Sequence, residues 1–171
     1  MRRALIAGAV TALGIGTAAL AVPSSAAGPH GLGCQLTGVA KIKPGLGPSP
    51  ATTTYTFTGT LTNCKGSDAK LSGGKVKAKG KGSLSCAGGT SAGVATIVWN
   101  THKKSAIAYN TRGLANGDQL DFTTKSSNEP ALAKGDQGAG GLAFTSFAGN
   151  CVQAPVTQAN FSGFTLAGSP N

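Results

Sequence analysis

The feature that most constrains the fold is the strict alternation over residues 74–86, which read GKVKAKGKGSLSC. Successive side chains of a β-strand point to opposite faces, so every second residue shares a face. Small or apolar residues ending in Cys86 occupy one face. The other face carries Lys75, Lys77, Lys79 and Lys81. The stretch therefore predicts a β-strand with a cationic outer face and an inner face that brings a cysteine to the core.

The preceding residues 52–63 repeat this pattern with threonine. Every second residue is a threonine, and the intervening positions include Tyr55, Phe57 and Leu61. Because β-branched side chains suit the exposed surface of a pleated strand, we expect the threonines outside and these three residues inside.

No part of residues 28–171 shows a sustained helical period. Turn signals instead separate about eight short strands, which predicts an all-β fold, either an antiparallel β-sandwich or a partly closed barrel. The longest loop is predicted at residues 125–141, which are polar and rich in glycine, and we expect it to be mobile.

The first 27 residues have the layout of a secretory signal peptide. Arg2 and Arg3 precede an uncharged apolar run over residues 4–22, and small residues follow Pro23. A retained membrane anchor is the alternative, because the run is nearly long enough to span a bilayer. We favour cleavage, which leaves one secreted or cell-wall-associated β domain at residues 28–171 with no stable membrane insertion.

All four cysteines, Cys34, Cys64, Cys86 and Cys151, lie in the exported part. An even number of cysteines in an exported domain predicts disulfides, and four allow three pairings. We favour Cys34 with Cys64, which bracket the first predicted hairpin, and Cys86 with Cys151, which both adjoin apolar strands. Metal-binding spacings such as CxxC are absent from the sequence, so neither a metal site nor a cofactor is expected.

The mature domain is basic, with 13 Lys and Arg against 5 Asp and Glu, a balance of +8. Such a charge favours solubility and a weak attraction to polyanions such as cell-wall polymers, without specific recognition of nucleic acid. Alternatively, the lysines only prevent aggregation of an exposed strand. The candidate polyanion-binding residues are Lys75, Lys77, Lys79 and Lys81 of the alternating strand, and Lys103 and Lys104 beside His102 on a predicted hairpin tip.

Residues 89–93 fit the G-x-S-x-G pattern, in which a sharp strand-to-helix turn exposes a nucleophilic serine, here Ser91. A strand is predicted after Ser91 instead of a helix, and no histidine follows the acidic residues as the hydrolase order requires. Asp118 and Asp121 lie three positions apart in one short segment, an unsuitable arrangement for a facing carboxylate pair. We therefore predict no catalytic residues and no enzymatic activity.

The order Cys86, Trp99, Cys151 resembles that of immunoglobulin-like sandwiches, which implies a tryptophan packed on a disulfide between two sheets. A more extensive resemblance is to small secreted four-cysteine β proteins of actinobacteria. It implies a secreted single-domain β fold and no particular activity. The matching stretches are CQLTGVAKIKPGL, TYTFTGTLTNCKG, GKVKAKGKGSLSC, ATIVWN and GNCVQAPVTQANFSG.

The sequence thus predicts a non-enzymatic secreted or envelope-associated β module that binds anionic surface polymers through its lysine strand. The alternative is a secreted inhibitor or small-ligand carrier on an immunoglobulin-like scaffold, with residues 125–141 as a reactive or lid segment and another secreted protein as a possible partner.

Overall fold

The computed structural model describes residues 31–114 and 117–169, so the predicted signal peptide lies outside the described residues. Eight strands make up the fold, and none of the described residues forms a helix long and apolar enough to cross a membrane. The strands are β1 (Leu32–Leu46), β2 (Ala51–Gly66), β3 (Gly74–Ser85), β4 (Gly88–Trp99), β5 (Lys104–Leu114), β6 (Gly117–Ser127), β7 (Gln137–Ala148) and β8 (Val156–Gly168).

The strands form a closed antiparallel barrel in which each strand pairs with its sequence neighbours and β8 pairs with β1. The prediction of an all-β fold is confirmed, and the sheet closes on itself instead of forming a sandwich. The strands are staggered around the barrel. When the paired residues are followed once around the sheet from Ile42, the path returns to β1 at Leu32, ten residues earlier. Eight-stranded barrels have an interior that side chains fill or that holds one small ligand.

The predicted alternation of β2 and β3 is present in the barrel wall. Phe57 and Leu61 are buried inside, together with the half-buried Tyr55, while the threonines at every second position from 52 to 62 are exposed. On β3, Val76 is buried and the four lysines are exposed. The local period of two therefore assigned these side chains to the correct faces.

One end of the barrel, the plugged end, is closed by the loop between β6 and β7. This loop covers only residues 128–136, since 125–127 belong to β6 and 137–141 to β7, so the predicted loop at 125–141 is wrong in extent. Its apolar residues Ala131 and Leu132 are each 1% exposed, and they pack into the core with Trp99. The segment is an anchored plug and not a free lid.

The two predicted disulfides, Cys34–Cys64 and Cys86–Cys151, are both confirmed. The first joins the neighbouring strands β1 and β2. Cys86 lies between β3 and β4, and Cys151 lies between β7 and β8, half-way around the barrel. The second bridge therefore spans the other end, which we call the open end.

The immunoglobulin-like arrangement is not present. Trp99 ends β4 at the plugged end, whereas Cys86 precedes the start of β4 at the open end. The tryptophan therefore cannot pack on the Cys86–Cys151 bridge, and its indole nitrogen instead donates a hydrogen bond of 2.8 Å to the Ser105 hydroxyl.

Candidate functional site

The barrel encloses an apolar cavity of about 140 Å³. Its space comes from small side chains in the wall: Ala40, Ala78 and Ala95 lie in one row of paired residues with the larger Phe57 between the first two. All three alanines line the cavity. A wall built of larger aliphatic residues at these positions would fill the interior, as in barrels with a solid core.

The two ends of the cavity differ in their exposure. At the plugged end, the lining residues Trp99 and Leu132 are buried. At the open end, the lining residues Leu46, Leu84 and Leu142 are only half-buried. The open end is therefore the less covered end of the cavity, and the Cys86–Cys151 bridge crosses it.

Two tyrosines lie across glycines on the inner surface. Tyr55 pairs with Gly80, Gly80 with Gly93, and Gly93 with Tyr109, so the four residues form one row across four strands. A Cβ on Gly80 would lie 2.6 Å from the Tyr55 hydroxyl oxygen, and a Cβ on Gly93 would clash with the Tyr109 hydroxyl. The absence of side chains at both glycines lets the phenols lie over the strands.

A chain of hydroxyls connects three lining strands. The Tyr55 hydroxyl and the Ser91 hydroxyl are 2.7 Å apart, and the Ser91 and Thr111 hydroxyls are 2.6 Å apart. Tyr109 is 6% exposed, and its hydroxyl makes no hydrogen bond of good geometry among the described residues. Burial raises the pKa of the Tyr109 phenol, and the Tyr55 hydroxyl beside it raises the pKa further through a weak hydrogen-bonding contact, so the Tyr109 hydroxyl stays protonated.

Ser91 belongs to this hydroxyl chain and does not lie on a nucleophile elbow. Residues 89–93 all fall within β4, where the backbone is extended. His102 is exposed in the turn between β4 and β5 at the plugged end, whereas Ser91 lies near the start of β4 toward the open end. The strand-to-helix turn that the G-x-S-x-G motif needs is therefore absent here.

Asp118 faces the barrel interior at the open end. It lies two residues before the buried Leu120 on β6, so both side chains point to the same face. Burial raises the pKa of the Asp118 carboxyl from 3.8 to about 6. Asp121 is exposed on the opposite face, so the two acids do not converge.

Among the described residues, no cluster of three His, Cys, Asp or Glu side chains offers a metal site.

Replacing Asp118 with asparagine is expected to stabilise the protein at neutral pH. The ionised carboxylate is disfavoured in the fold, so Asp118 costs no stability below about pH 4, and its cost grows as the pH rises from there through about 6. Because the site is partly solvated, we expect Asp118→Asn to gain about 1 to 2 kcal/mol at neutral pH and almost nothing in acid. Chemical unfolding across this pH range measures the difference. Asp121→Asn is the control, and a gain that is equal at both pH values would contradict the prediction.

The predicted lysines lie on the outer surface, where the barrel adds further lysines. Lys75 pairs with Val98 of β4, which pairs with Lys104, so Lys104 continues the patch, while Lys103 is half-buried in the turn. On the other side, two β1 lysines face the patch across the threonines of β2. We call the exposed set the lysine face: Lys41, Lys43, Lys75, Lys77, Lys79, Lys81 and Lys104.

Sequence reasoning missed Lys41 and Lys43 as members of this face, although they alternate in the same way as the β3 lysines. It also missed Tyr109 and Thr111 as neighbours of Tyr55, because they lie on distant segments. The available signal was the pair Gly80 and Gly93, since glycine inside a strand often marks a close approach by another group.

A scan against protein-family models finds no match to this chain, and searches of curated proteins and of solved structures find none either.

Proposed function

We propose that this protein is a non-enzymatic carrier that holds one small, mostly apolar molecule inside the barrel. The cavity is the observation that carries this proposal, because it is enclosed by apolar side chains and is less covered at its open end. Apolar cavities of this kind stay dry and bind apolar molecules, and a cavity of about 150 Å³ accepts a benzene-sized molecule. The two disulfides fit an oxidising extracellular setting, which supports a secreted carrier.

Filling the cavity tests this proposal. Ala78 is half-buried, lines the cavity and faces inward from the middle of β3. We expect Ala78→Leu to occupy the space and to weaken the binding of benzene at least about tenfold, because the added methylenes take the volume that the ligand needs. Titration calorimetry and the ligand-induced rise in melting temperature measure the change.

Ala92→Leu is the matched control, since Ala92 is exposed on the outer face of β4. It adds the same methylenes without entering the cavity, so its benzene affinity should equal that of the wild type. Wild-type protein that binds no benzene, or Ala78→Leu protein that binds it unchanged, would contradict the carrier proposal.

The lysine face supports a second proposed function, the binding of an anionic polymer such as a cell-wall polymer. Its seven lysines are exposed on one side of the barrel, and β1, β2 and β3 contain no acidic residue. The four β3 lysines recur at every second residue, about 6.7 Å apart along the strand, a spacing that suits a linear chain of charges. Binding of linear polyphosphate by a variant that lacks the four β3 lysines tests this function.

A further inference from the structure

The unpartnered hydroxyl of Tyr109 distinguishes this cavity from a purely apolar one. Tyr109 lines the cavity, and its hydroxyl oxygen is fully buried without a hydrogen bond of good geometry among the described residues, the Tyr55 hydroxyl being its nearest polar neighbour. A buried polar group in this state is disfavoured relative to the same group hydrogen-bonded to water, and native structures contain few of them. A partner outside the chain, supplied by a bound molecule, removes this cost.

Tyr109 and the hydroxyls beside it leave two protons without a hydrogen bond. Tyr55, Ser91 and Thr111 each have one hydroxyl proton, and the chain that they form contains two hydrogen bonds. One of its three protons therefore has no acceptor within the chain, and the Tyr109 proton is a further one. A phenol is a better donor than acceptor, so the buried Tyr109 hydroxyl suits a ligand that brings an acceptor.

The charge of the ligand follows from the residues around it. Neither basic nor acidic side chains are among the described residues that line the cavity, and the lysines of β1 and β3 point outward. A carboxylate would lose its hydration here without gaining a counter-ion, and an ammonium group would meet only Asp118, which faces the interior at the open end outside the lining residues. The cavity therefore selects against charged ligands.

We infer that the carried molecule is small and neutral and contains an acceptor oxygen, such as that of a ketone or another carbonyl compound, to which the Tyr109 hydroxyl donates a hydrogen bond. This inference rests on the proposed carrier function and specifies its ligand. The acceptor lies beside the Tyr109 hydroxyl, which itself occupies the space over Gly93, and the remainder of the molecule contacts the apolar wall.

Two probes of matched shape test the inference: cyclohexanone, and methylenecyclohexane, in which a carbon replaces the carbonyl oxygen. Both are titrated calorimetrically into the wild type and into Tyr109→Phe. We expect the variant to bind the ketone about tenfold more weakly, because one hydrogen bond is lost, and to bind the hydrocarbon within about twofold of the wild type. Hydrocarbon binding by the variant also shows that its cavity is intact.

The infrared carbonyl stretch of bound cyclohexanone gives a direct readout in wild-type protein. A hydrogen bond lowers this frequency below its value in a hydrocarbon solvent, and Tyr109→Phe should restore that value. Thr111→Val, which removes the end of the neighbouring hydroxyl chain, should leave most of the shift in place. If Tyr109→Phe does not fold, the carbonyl frequency of cyclohexanone bound to the wild type tests the inference by itself.

The outcomes separate the two proposals. If neither probe binds the wild type, the carrier function fails and the inference fails with it. If both probes bind but Tyr109→Phe weakens them equally or not at all, or if the carbonyl frequency is unshifted, the inference is overturned and the carrier function stands. An unshifted frequency would show that the ketone oxygen accepts no hydrogen bond in the cavity.

Discussion

Replacing Cys86 and Cys151 together with alanine is expected to lower the free energy of unfolding by about 4 kcal/mol. This bridge links residues 65 positions apart and joins loops on opposite sides of the barrel. In the chain-entropy account, a crosslink stabilises mainly by restricting the unfolded chain, and the effect grows with loop length. Guanidinium unfolding followed by tryptophan fluorescence measures the loss, and a change below about 1 kcal/mol would contradict this prediction.

The same bridge should also be the more readily reduced of the two. Cys86 and Cys151 are both half-buried, whereas Cys34 and Cys64 are only 6% and 5% exposed. Thiol attack requires access to a sulfur atom, so mild reductant under native conditions should open Cys86–Cys151 first. Alkylation followed by mass spectrometry identifies the freed cysteines. Early labelling of Cys34 or Cys64 would show that the barrel opens at its plugged end instead.

Changing Lys75, Lys77, Lys79 and Lys81 together to glutamine is expected to weaken binding to linear polyphosphate about 100-fold at low salt. Each lysine that neutralises a phosphate releases a counter-ion, so the affinity of the wild type should also decrease steeply as salt rises, and the variant should show a smaller slope by about 3. Affinities from fluorescence titration at several salt concentrations measure both quantities.

A second set of four exposed lysines provides a control for net charge: Lys65, Lys70, Lys125 and Lys134. Their replacement by glutamine removes the same charge from positions outside the lysine face. If both variants lose the same affinity, the interaction depends on net charge alone and the lysine face is not a binding site. If wild-type binding does not respond to salt, the polyanion proposal is wrong.

Local patterns predicted much of the barrel wall because the β period is a local property. The alternation over residues 74–86 assigned the lysines to the outside and Val76 to the inside, and both assignments agree with the structure. The disulfide pairing was also predicted correctly. The closure of the barrel could not be predicted from local patterns. It depends on pairing between β1 and β8, which lie at opposite ends of the described chain.

The loop predicted at 125–141 shows where local reasoning failed. Glycines at positions 138, 140 and 141 give this segment a composition typical of a loop, yet they belong to β7. The Phe122 ring lies where a Cβ on Gly138 would stand, so this glycine permits close packing inside the barrel. Its role depends on a partner strand, and composition alone does not reveal it.

The hydroxyl site was unpredictable for a similar reason. Tyr55 and Tyr109 belong to β2 and β5, and only the register through Gly80 and Gly93 brings them into one row. The sequence predicts only that both tyrosines lie in strands and can face the interior of the protein. The side-by-side placement of their hydroxyls requires the complete set of strand pairings.

The lysine face lies on the side wall of the barrel and not at either end, which determines how the molecule would rest on a negatively charged surface. Attached through β1 and β3, the barrel would lie on its flank, with its long axis roughly along that surface. The open end, crossed by the Cys86–Cys151 bridge, would then point sideways into the solvent and would stay uncovered while the molecule remains attached.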